Sequence, residues 1–436
     1  MARNSTQART TRRVAPPLEH RILMTATMIL IAYGAVMVYS ASSGTGVIAS
    51  GGYGTKEFLM YLLAAGIGLI AMRVLERYGL QLLNNTRIVT IMLFGSFALL
   101  LAVLVPGIGL DLGGARRWFG AGPIQFQPSE LMKFALILYL ARYMADNPRR
   151  MQRSFREAVT PIAIVVVPAC GLIAIEPDLG TTLVVFFAVT ALLLVAGMPL
   201  RYVAMIVGGA VVAALLFILA QPYERARLLS FLHPWSSACK SGGCWQAVQG
   251  QIGIGSGGIF GVGLGRSIQK LFWLPEAQTD FILAVIGEEL GTLGILALIA
   301  LYGMIAYAGL RTARRAATRH TKLLASGLTS LIICQATVNI FVVLGLAPDT
   351  GVPLPFISYA PTNLLVMLGS VGLLLGIARP ATRELRLVDR REQRRTSAVA
   401  GEVSDERYAR HEDRDRGRRY GGTRGSSAGR RRGAAG

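Results

Sequence analysis

Residues 274–281 place a carboxylate, Asp280, directly before a long apolar run. Holding an ionisable side chain at the edge of an apolar segment costs free energy, so such a residue is a candidate for a functional site. A second use is also open, because Asp280 could cap the helix that follows, in competition with Thr279. The residues alone therefore leave two roles for this carboxylate, one functional and one structural.

A helix start with two opposite charges lies at residues 127–133, which read Gln-Pro-Ser-Glu-Leu-Met-Lys. Ser129 can cap this helix, with Pro128 as the stop before it. Glu130 and Lys133 are spaced i,i+3 and therefore lie on one face, where they can pair. The pair has two interpretations: an ion pair that fixes the start of the helix, or the lining of a cavity for a phosphate-bearing substrate.

Two further segments interrupt apolar runs with proline and polar residues. Residues 176–182 form a turn with two carboxylates, in which Asp178 either caps the next helix or belongs to a site. Residues 349–359 hold two prolines after Asp349, and Asn339 lies inside the run before them. At membrane depth such a segment is tolerated only where it packs against protein or lines a cavity.

The polar connection at 221–280 is longer than a simple link needs, which predicts that it builds a site. Its glycine-rich part, 253–265, resembles a phosphate-cradling loop, but no strand precedes it, so a dinucleotide site is excluded. The glycines instead predict close approach of backbone to a ligand or helix. Cys239 and Cys244 flank a flexible segment of this connection, where a disulfide and two free thiols are equally open; no adjacent histidine completes a metal site.

The composition identifies the elements that must position these residues. Of 436 residues, 53% are hydrophobic and only 16% are charged, with a mean hydropathy of +0.49. These values indicate an integral membrane protein. Apolar runs long enough to cross a bilayer as helices predict a polytopic all-α bundle of about ten spans. They lie near 22–41, 57–74, 88–106, 130–145, 159–176, 181–198, 202–220, 281–309, 322–346 and 363–379.

The orientation of the bundle follows from the distribution of arginine and lysine. These residues concentrate in the N-terminal tail and in every second connection, near 73–87, 149–156, 201 and 311–322. The positive-inside rule places those parts in the cytoplasm. With ten spans both termini are cytoplasmic, and the connection at 221–280 between the seventh and eighth spans faces the exterior.

The chain divides into a basic tail, 1–20, a membrane domain, 21–380, and a second basic tail, 381–436. The formal net charge is +21, and much of it lies in the C-terminal tail, which lacks apolar periodicity and is predicted to be disordered. Anionic membrane lipids or a cytoplasmic protein are the expected partners of this tail. Nucleic acid is not an expected partner, because no folded basic module is present.

Five separated motifs, in this order, resemble those of the SEDS family of bacterial cell-wall proteins, which includes FtsW, RodA and SpoVE. They are Gly-Gly-Ala-Arg-Arg-Trp with Gln-Pro-Ser-Glu-Leu-Met-Lys, Glu-Pro-Asp-Leu-Gly-Thr, the glycine run ending in Gln269 and Lys270, Pro-Glu-Ala-x-Thr-Asp-Phe, and Pro-Leu-Pro-Phe-Ile-Ser-Tyr. The resemblance covers roughly residues 20–380. The forms around Lys270, Pro275 and Glu288 are more similar to the division proteins of the family, the FtsW proteins, than to its elongation proteins.

The resemblance implies an inverting glycosyltransferase that polymerises lipid II, the undecaprenyl-pyrophosphate-linked disaccharide pentapeptide, into β-1,4 glycan outside the membrane. The family's essential carboxylate corresponds to Asp280, which would act as general base on the acceptor hydroxyl while undecaprenyl pyrophosphate leaves the donor. Cations would stabilise the charge on the departing pyrophosphate. The candidates for that role are Arg116, Arg117, Arg225, Arg227 and Lys270. The implied substrate site also contains Glu130, Lys133, Asp178 and Glu276.

The implied partners are a class B penicillin-binding protein, which is a transpeptidase, and other divisome proteins at the division septum. No cofactor is obligatory; Mg²⁺ or Mn²⁺ beside the pyrophosphate stays open, although the sequence shows no ligand set with metal spacing. Three alternatives remain: a lipid II flippase, an elongation polymerase of the RodA type, and a divisome scaffold of weak activity. Two departures from the family pattern bear on them, Gln278 in place of the usual histidine and residues 360–363 in place of Gly-Gly-Ser-Ser.

Overall fold

The computed structural model describes residues 16–50, 55–112, 115–121, 124–232, 234–235, 245–271, 273–275 and 277–379. Cys239 and Cys244, the two candidates for a disulfide, lie outside these residues, as do Glu276 and the tail at 381–436. Within them, Cys170 and Cys334 are free thiols on membrane helices.

The described chain is a bundle of helices joined by short connections. Its first half comprises α1 (Leu18–Ser50), α2 (Thr55–Val74), a π-helical turn (Leu75–Gly79), α3 (Leu80–Leu83), α4 (Thr86–Leu104), α5 (Pro128–Asp146), α6 (Arg150–Arg153) and α7 (Phe155–Ile175). Its second half comprises α8 (Leu179–Val195), α9 (Leu200–Ala220), α10 (Pro222–Leu232), α11 (Trp245–Gly257), α12 (Ile282–Arg315), α13 (Arg319–Val343) and α14 (Pro361–Ala378).

By length and composition, 8 helical segments of the described chain can cross a membrane. They are α1, α2 with its extension to Leu83, α4, α7, α9, α12, α13 and α14. The other two predicted spans correspond to α5, which has 19 residues but four charged ones, and to the apolar 17-residue α8. The all-α membrane class with about ten spans is therefore confirmed.

A small antiparallel sheet between α4 and α5 is absent from the sequence-based prediction. Its strands are β1 (Leu110–Leu112), β2 (Ala115–Ala121) and β3 (Ile124–Phe126), in the order β1-β2-β3. Phe119 pairs with Phe126 across the second ladder. Strands of three to seven residues are too short to give a clear alternating pattern, which explains why sequence periodicity did not reveal them.

The starts of α5, α8 and α12 test three capping predictions. Asp178 caps α8 as predicted, because its Oδ1 accepts a hydrogen bond from the Thr181 amide at 2.9 Å. The prediction for Ser129 is wrong: Gln127 is the N-cap of α5 and Pro128 is its first residue, a position that suits a proline without an N–H. Asp280 does not cap α12 either, since Phe281 is the N-cap and makes no side-chain capping bond.

Helix α13 lies at the centre of the bundle, where it packs against α12, α8, α5 and α14. α1 packs along α12, and α14 packs along α2. By contrast, α9 contacts mainly α8 and α10, and its side chains are largely exposed along its length. A buried position on α13 is thus within reach of several elements at once.

After forming α10 and α11, the predicted exterior connection runs back along α12, and its part at 258–270 is called the return segment below. At Gly291 the φ angle is +67°, and α12 kinks there. The kink opens backbone groups to the glycine-rich segment: Val262 donates to Glu288 O at 2.9 Å, and Thr292 donates to Gly258 O at 2.9 Å. Gly291 follows the start of α12 by about 13 Å at the rise of an α-helix. The glycine segment, largely exposed at 258–266, therefore contacts α12 about that far along the helix from its start.

We expect Gly261→Ala to destabilise this return segment. Gly261 has a φ of +81°, and a Cβ there would lie 2.2 Å from Glu289 O. The left-handed backbone alone costs a non-glycine residue about 1–2 kcal/mol, and the clash adds to it. The thermal midpoint of purified protein should fall clearly for Gly261→Ala but not for Gly255→Ala, because Gly255 lies in α11 with open space around it. Equal midpoints for the two variants would contradict this packing.

Candidate functional site

Asp280 lies at the end of the bundle where α5, α8, α12 and α14 begin, called the Asp280 end below. Its carboxylate is half-buried and accepts a hydrogen bond from Thr279 Oγ1 at 3.0 Å. Its backbone oxygen accepts a hydrogen bond from Asn339 Nδ2 at 2.7 Å, and the next residue, Phe281, is fully buried. The backbone of Asp280 is therefore anchored to the bundle while its carboxylate retains contact with the surface.

The segment at 349–353 faces the Asp280 carboxylate. A Cβ on Gly351 would lie 3.8 Å from Asp280 Oδ2, and the φ of Gly351 is +65°. Asp349 stands beside it, with Oδ1 accepting from the Gly351 amide at 3.3 Å and Oδ2 lying 3.9 Å from the guanidinium of Arg227. The structure thus brings Arg227 of α10 to the segment that Asp280 faces. Arg225, two residues earlier on the same helix, is exposed.

A second polar group, at the start of α8, borders the same segment. Asp178 accepts a hydrogen bond from Gln127 Nε2 at 3.1 Å in addition to capping its own helix. Gly180 packs so closely on Thr350 that a Cβ would lie 2.5 Å from the Thr350 oxygen. The 349–353 segment is accordingly held between α8 on one side and Asp280 on the other.

The arginine pair of strand β2 lies next to this group. Arg117 donates through Nε to the Glu176 backbone oxygen at 2.6 Å and through a terminal nitrogen to the Pro177 backbone oxygen. Arg116 is half-buried on the same strand. Arg117 therefore fixes the α7–α8 turn by binding the backbone carbonyls of that turn. A contact of Arg116 or Arg117 with substrate stays a prediction.

Glu130 and Lys133 form the predicted ion pair, with Nζ and Oε1 2.8 Å apart. Both side chains are almost fully buried inside the bundle. Lys133 Nζ also donates to Gln335 Oε1 at 2.8 Å, and Asn363 Nδ2 donates to Glu130 Oε2 at 2.7 Å. The predicted pairing of Glu130 with Lys133 is confirmed, and a direct contact of either residue with substrate stays a prediction.

Lys270 lies away from Asp280, in a buried polar cluster against α1 and α12. Its Nζ is 2.9 Å from Glu289 Oε1 and 3.1 Å from Ser40 Oγ. The side chain is 3% exposed. Glu288, the neighbour of Glu289, accepts from the Ile268 amide at 2.9 Å and from Ser267 Oγ. In this arrangement Lys270 anchors the return segment, and its proposed contact with pyrophosphate would require it to leave that ion pair.

The described residues contain no group of three or more histidine, cysteine, aspartate or glutamate side chains arranged to hold a metal ion.

Sequence reasoning missed the roles of Gln335, Asn339 and Asn363, which contact the predicted residues directly. A usable signal was present, because Gln335 and Asn339 are four residues apart in an apolar run and must share a helix face.

In the connection between α7 and α8, Glu176 is the ionisable group whose pKa departs most from its ordinary value. Its side chain is buried, and neither carboxylate oxygen has a hydrogen-bond partner within the described chain. The pKa of Glu176 is raised to about 8, first because burial disfavours the charged form and then because Asp178 is close; Arg117 opposes both effects. The folded state therefore holds a proton that the unfolded state releases at lower pH.

Substituting Glu176→Gln should raise stability in a pH-dependent way. Between the ordinary pKa of 4.5 and the raised value of about 8, wild-type stability falls as pH rises, because the folded state binds more protons than the unfolded state. The glutamine variant lacks this loss, so its advantage in thermal midpoint should grow from about pH 5 to about pH 8. Glu157→Gln, on an exposed position of α7, serves as the control. Parallel pH curves for Glu176→Gln and wild type would contradict the buried carboxyl.

Comparison with known proteins identifies the family of this chain. A family model described as "Cell cycle protein", built on FtsW, RodA and SpoVE, matches residues 20–383. The stage V sporulation protein E of Bacillus subtilis is 36% identical over 372 residues, which are 85% of this chain and 99% of that protein. The probable peptidoglycan glycosyltransferase FtsW of Pseudomonas fluorescens is 37% identical over 81% of this chain and 86% of its own length.

Solved structures show the same fold. A chain from work on the structural coordination of polymerization and crosslinking by a peptidoglycan synthase complex superposes with a TM-score of 0.64 at 28% identity, covering 82% of this chain and 96% of that one. The rod shape determining protein RodA of Thermus thermophilus superposes with a TM-score of 0.58 over 82% of this chain and 95% of that one. The matches span the whole membrane domain with all five motifs, and the chain therefore belongs to the FtsW, RodA and SpoVE family of membrane proteins.

Proposed function

We propose that this chain is a peptidoglycan glycosyltransferase that polymerises lipid II into β-1,4 glycan on the outer face of the cytoplasmic membrane. The observation that carries the proposal is the placement of Asp280. It is a half-buried carboxylate whose backbone is anchored by Asn339 and which faces the glycine turn at Gly351. Family membership and the printed function of the FtsW relatives support the same activity.

In the proposed reaction Asp280 acts as general base. It removes the proton from the acceptor's sugar hydroxyl, whose oxygen then bonds to the anomeric carbon of the donor with inversion. The bond from that carbon to the pyrophosphate oxygen breaks, and undecaprenyl pyrophosphate leaves with the electron pair. A base of this kind needs an open side toward the acceptor, which the surface position of the carboxylate supplies.

The departing pyrophosphate requires positive charge nearby. Arg227 is the best-placed candidate, because the structure holds its guanidinium 3.9 Å from Asp349 in the segment that faces Asp280. Arg225, which is exposed, and Arg116, which is half-buried, are further candidates. If Mg²⁺ or Mn²⁺ takes part, pyrophosphate oxygens and water would supply most of its ligands, as is usual for Mg²⁺, and no step above depends on it.

The proposed partner is a class B penicillin-binding protein, a transpeptidase that crosslinks the glycan made by this chain. Support comes from the similar structure from a peptidoglycan synthase complex, in which polymerization and crosslinking are structurally coordinated. The similarity to FtsW proteins favours a role with other divisome proteins at the septum over the elongation role of RodA. The proposed orientation has both termini in the cytoplasm and Asp280 outside, and the basic residues of every second connection support it.

The Asp280→Asn variant tests the proposal. Asparagine has the same shape but cannot accept the proton, so glycan synthesis from labelled lipid II should fall by about 10²–10⁴-fold, the usual contribution of a general base. Protein yield and thermal midpoint should stay near those of wild type. Asp146→Asn, an exposed site at the opposite end of α5, is the matched control and should retain full activity.

The same assay, run with the purified penicillin-binding partner, separates the alternatives. Equal glycan from wild type and Asp280→Asn would sink the assignment of the base. Transfer of lipid II across liposomes without polymer would favour a flippase, and folded wild-type protein that neither polymerises nor transfers lipid II would favour a scaffold.

A further inference from the structure

Two buried amides on α13 stand between the candidate base and the interior ion pair. Gln335 and Asn339 are four residues apart, so they lie on one face of the helix, and their exposures are 0% and 1%. Burying an amide costs free energy unless its groups are hydrogen-bonded. Both amides donate hydrogen bonds from their side-chain N–H groups to backbone oxygens outside their own helix.

Asn339 joins the Asp280 backbone to the segment that Asp280 faces. Its Nδ2 donates to Asp280 O at 2.7 Å and to Val352 O at 2.8 Å. Both of these atoms are carbonyl oxygens that can only accept, so the orientation of the amide is fixed chemically. Gly351, which precedes Val352, lies beside the Asp280 carboxylate, since a Cβ on it would be 3.8 Å from Asp280 Oδ2. One side chain therefore sets the separation between the carboxylate and the wall opposite it.

Gln335 extends the connection by one helical turn. Its Nε2 donates to Pro353 O at 2.9 Å, and its Oε1 accepts from Lys133 Nζ at 2.8 Å. Lys133 pairs with Glu130, which Asn363 of α14 also contacts. Hydrogen bonds thus connect Asp280 through Asn339 to Val352, and the adjacent Pro353 through Gln335 to the Lys133–Glu130 pair of α5 and to α14.

We propose that Asn339, supported by Gln335, is a positioning residue that holds the Asp280 carboxylate at its working distance from the 349–353 segment. This inference rests on the proposed function, because it gives Asp280 the role of base. Neither amide needs to touch substrate. In this arrangement the buried Glu130–Lys133 pair acts through Gln335, since Lys133 orients the amide that binds Pro353 O.

The size of the effect follows from how sharply catalysis depends on geometry. A shift of about 1 Å in a catalytic group can cost on the order of 10²-fold in rate. Loss of the Asn339 donors releases Asp280 O and Val352 O from each other, while the helices around them keep their packing. Substrate binding through other contacts should change little, so the loss should appear in kcat rather than in KM.

The test compares Asn339→Leu with Asn339→Gln in the lipid II polymerisation assay on the full chain with its penicillin-binding partner. Leucine is close in size but lacks the donors, and kcat should fall about 10²-fold with KM within about threefold of wild type. Asn339→Gln restores an amide donor, and its kcat should be at least tenfold higher than that of Asn339→Leu. Thr329→Val is the control, because it removes a buried hydrogen bond to Ala325 O on the same helix, away from Asp280.

The outcomes are distinct. A purely structural role predicts that Asn339→Leu, Asn339→Gln and Thr329→Val lower folded yield alike, with kcat per folded molecule unchanged, and this result would overturn the proposal. If Asn339→Leu does not fold, Gln335→Met tests the chain one turn away and should lower kcat about tenfold; if neither variant folds, the amides are structural and the proposal fails.

Failure of this inference is separable from failure of the proposed function. If Asp280→Asn polymerises lipid II as wild type does, the function assigned to Asp280 fails whatever Asn339 does. If Asp280→Asn is inactive and Asn339→Leu keeps the kcat of wild type, only the positioning role fails.

Discussion

Backbone that leaves a helix inside a membrane must find hydrogen-bond partners in the protein, because hydrocarbon offers none. Two segments of this chain meet that demand, the return segment along α12 and the stretch at 349–358. The first uses backbone groups opened by the kink at Gly291 together with the carboxylate of Glu288. The second is satisfied by side chains, including Tyr61 on Phe356 O and Tyr302 on Pro355 O, each at 2.6 Å. Asp280 lies beside the second segment, because the Asn339 amide donates both to its backbone oxygen and to Val352 O, so its position depends on that segment.

Charge inside the bundle follows the same constraint. Glu130 with Lys133 and Glu289 with Lys270 are buried pairs whose remaining polar atoms are bonded to amides and hydroxyls. Removing a pair of charges from water costs several kcal/mol per ion, so such pairs are poor sources of net stability. Their directional bonds do fix the register of neighbouring elements. A flippase would need ionisable groups along a transport path, whereas these charges are engaged with one another.

The sequence predicted the elements better than the contacts. Length and apolarity of the runs were enough for the spans, because a helix is the economical solution for each run independently. The Glu130–Lys133 pair was predictable from i,i+3 spacing alone. The pairing of Lys270 with Glu289 was not, because it depends on a connection folding back along α12 to a kink that no local pattern reveals. Asn339 could be noticed as polar within a run, but its partners lie far away in sequence.

The two departures from the family pattern can now be weighed against these contacts. At position 278 the contact that the structure uses is the backbone oxygen, which accepts from the Tyr359 amide at 2.9 Å and which any residue supplies. In the altered stretch that begins α14, Pro361 occupies the first helical turn and Asn363 donates to Glu130. The replacements therefore maintain the tether of the Asp280 segment and contribute a bond to the buried pair. Asp280 keeps its supports without the histidine, which leaves the carboxylate itself as the titratable group that the proposed chemistry requires.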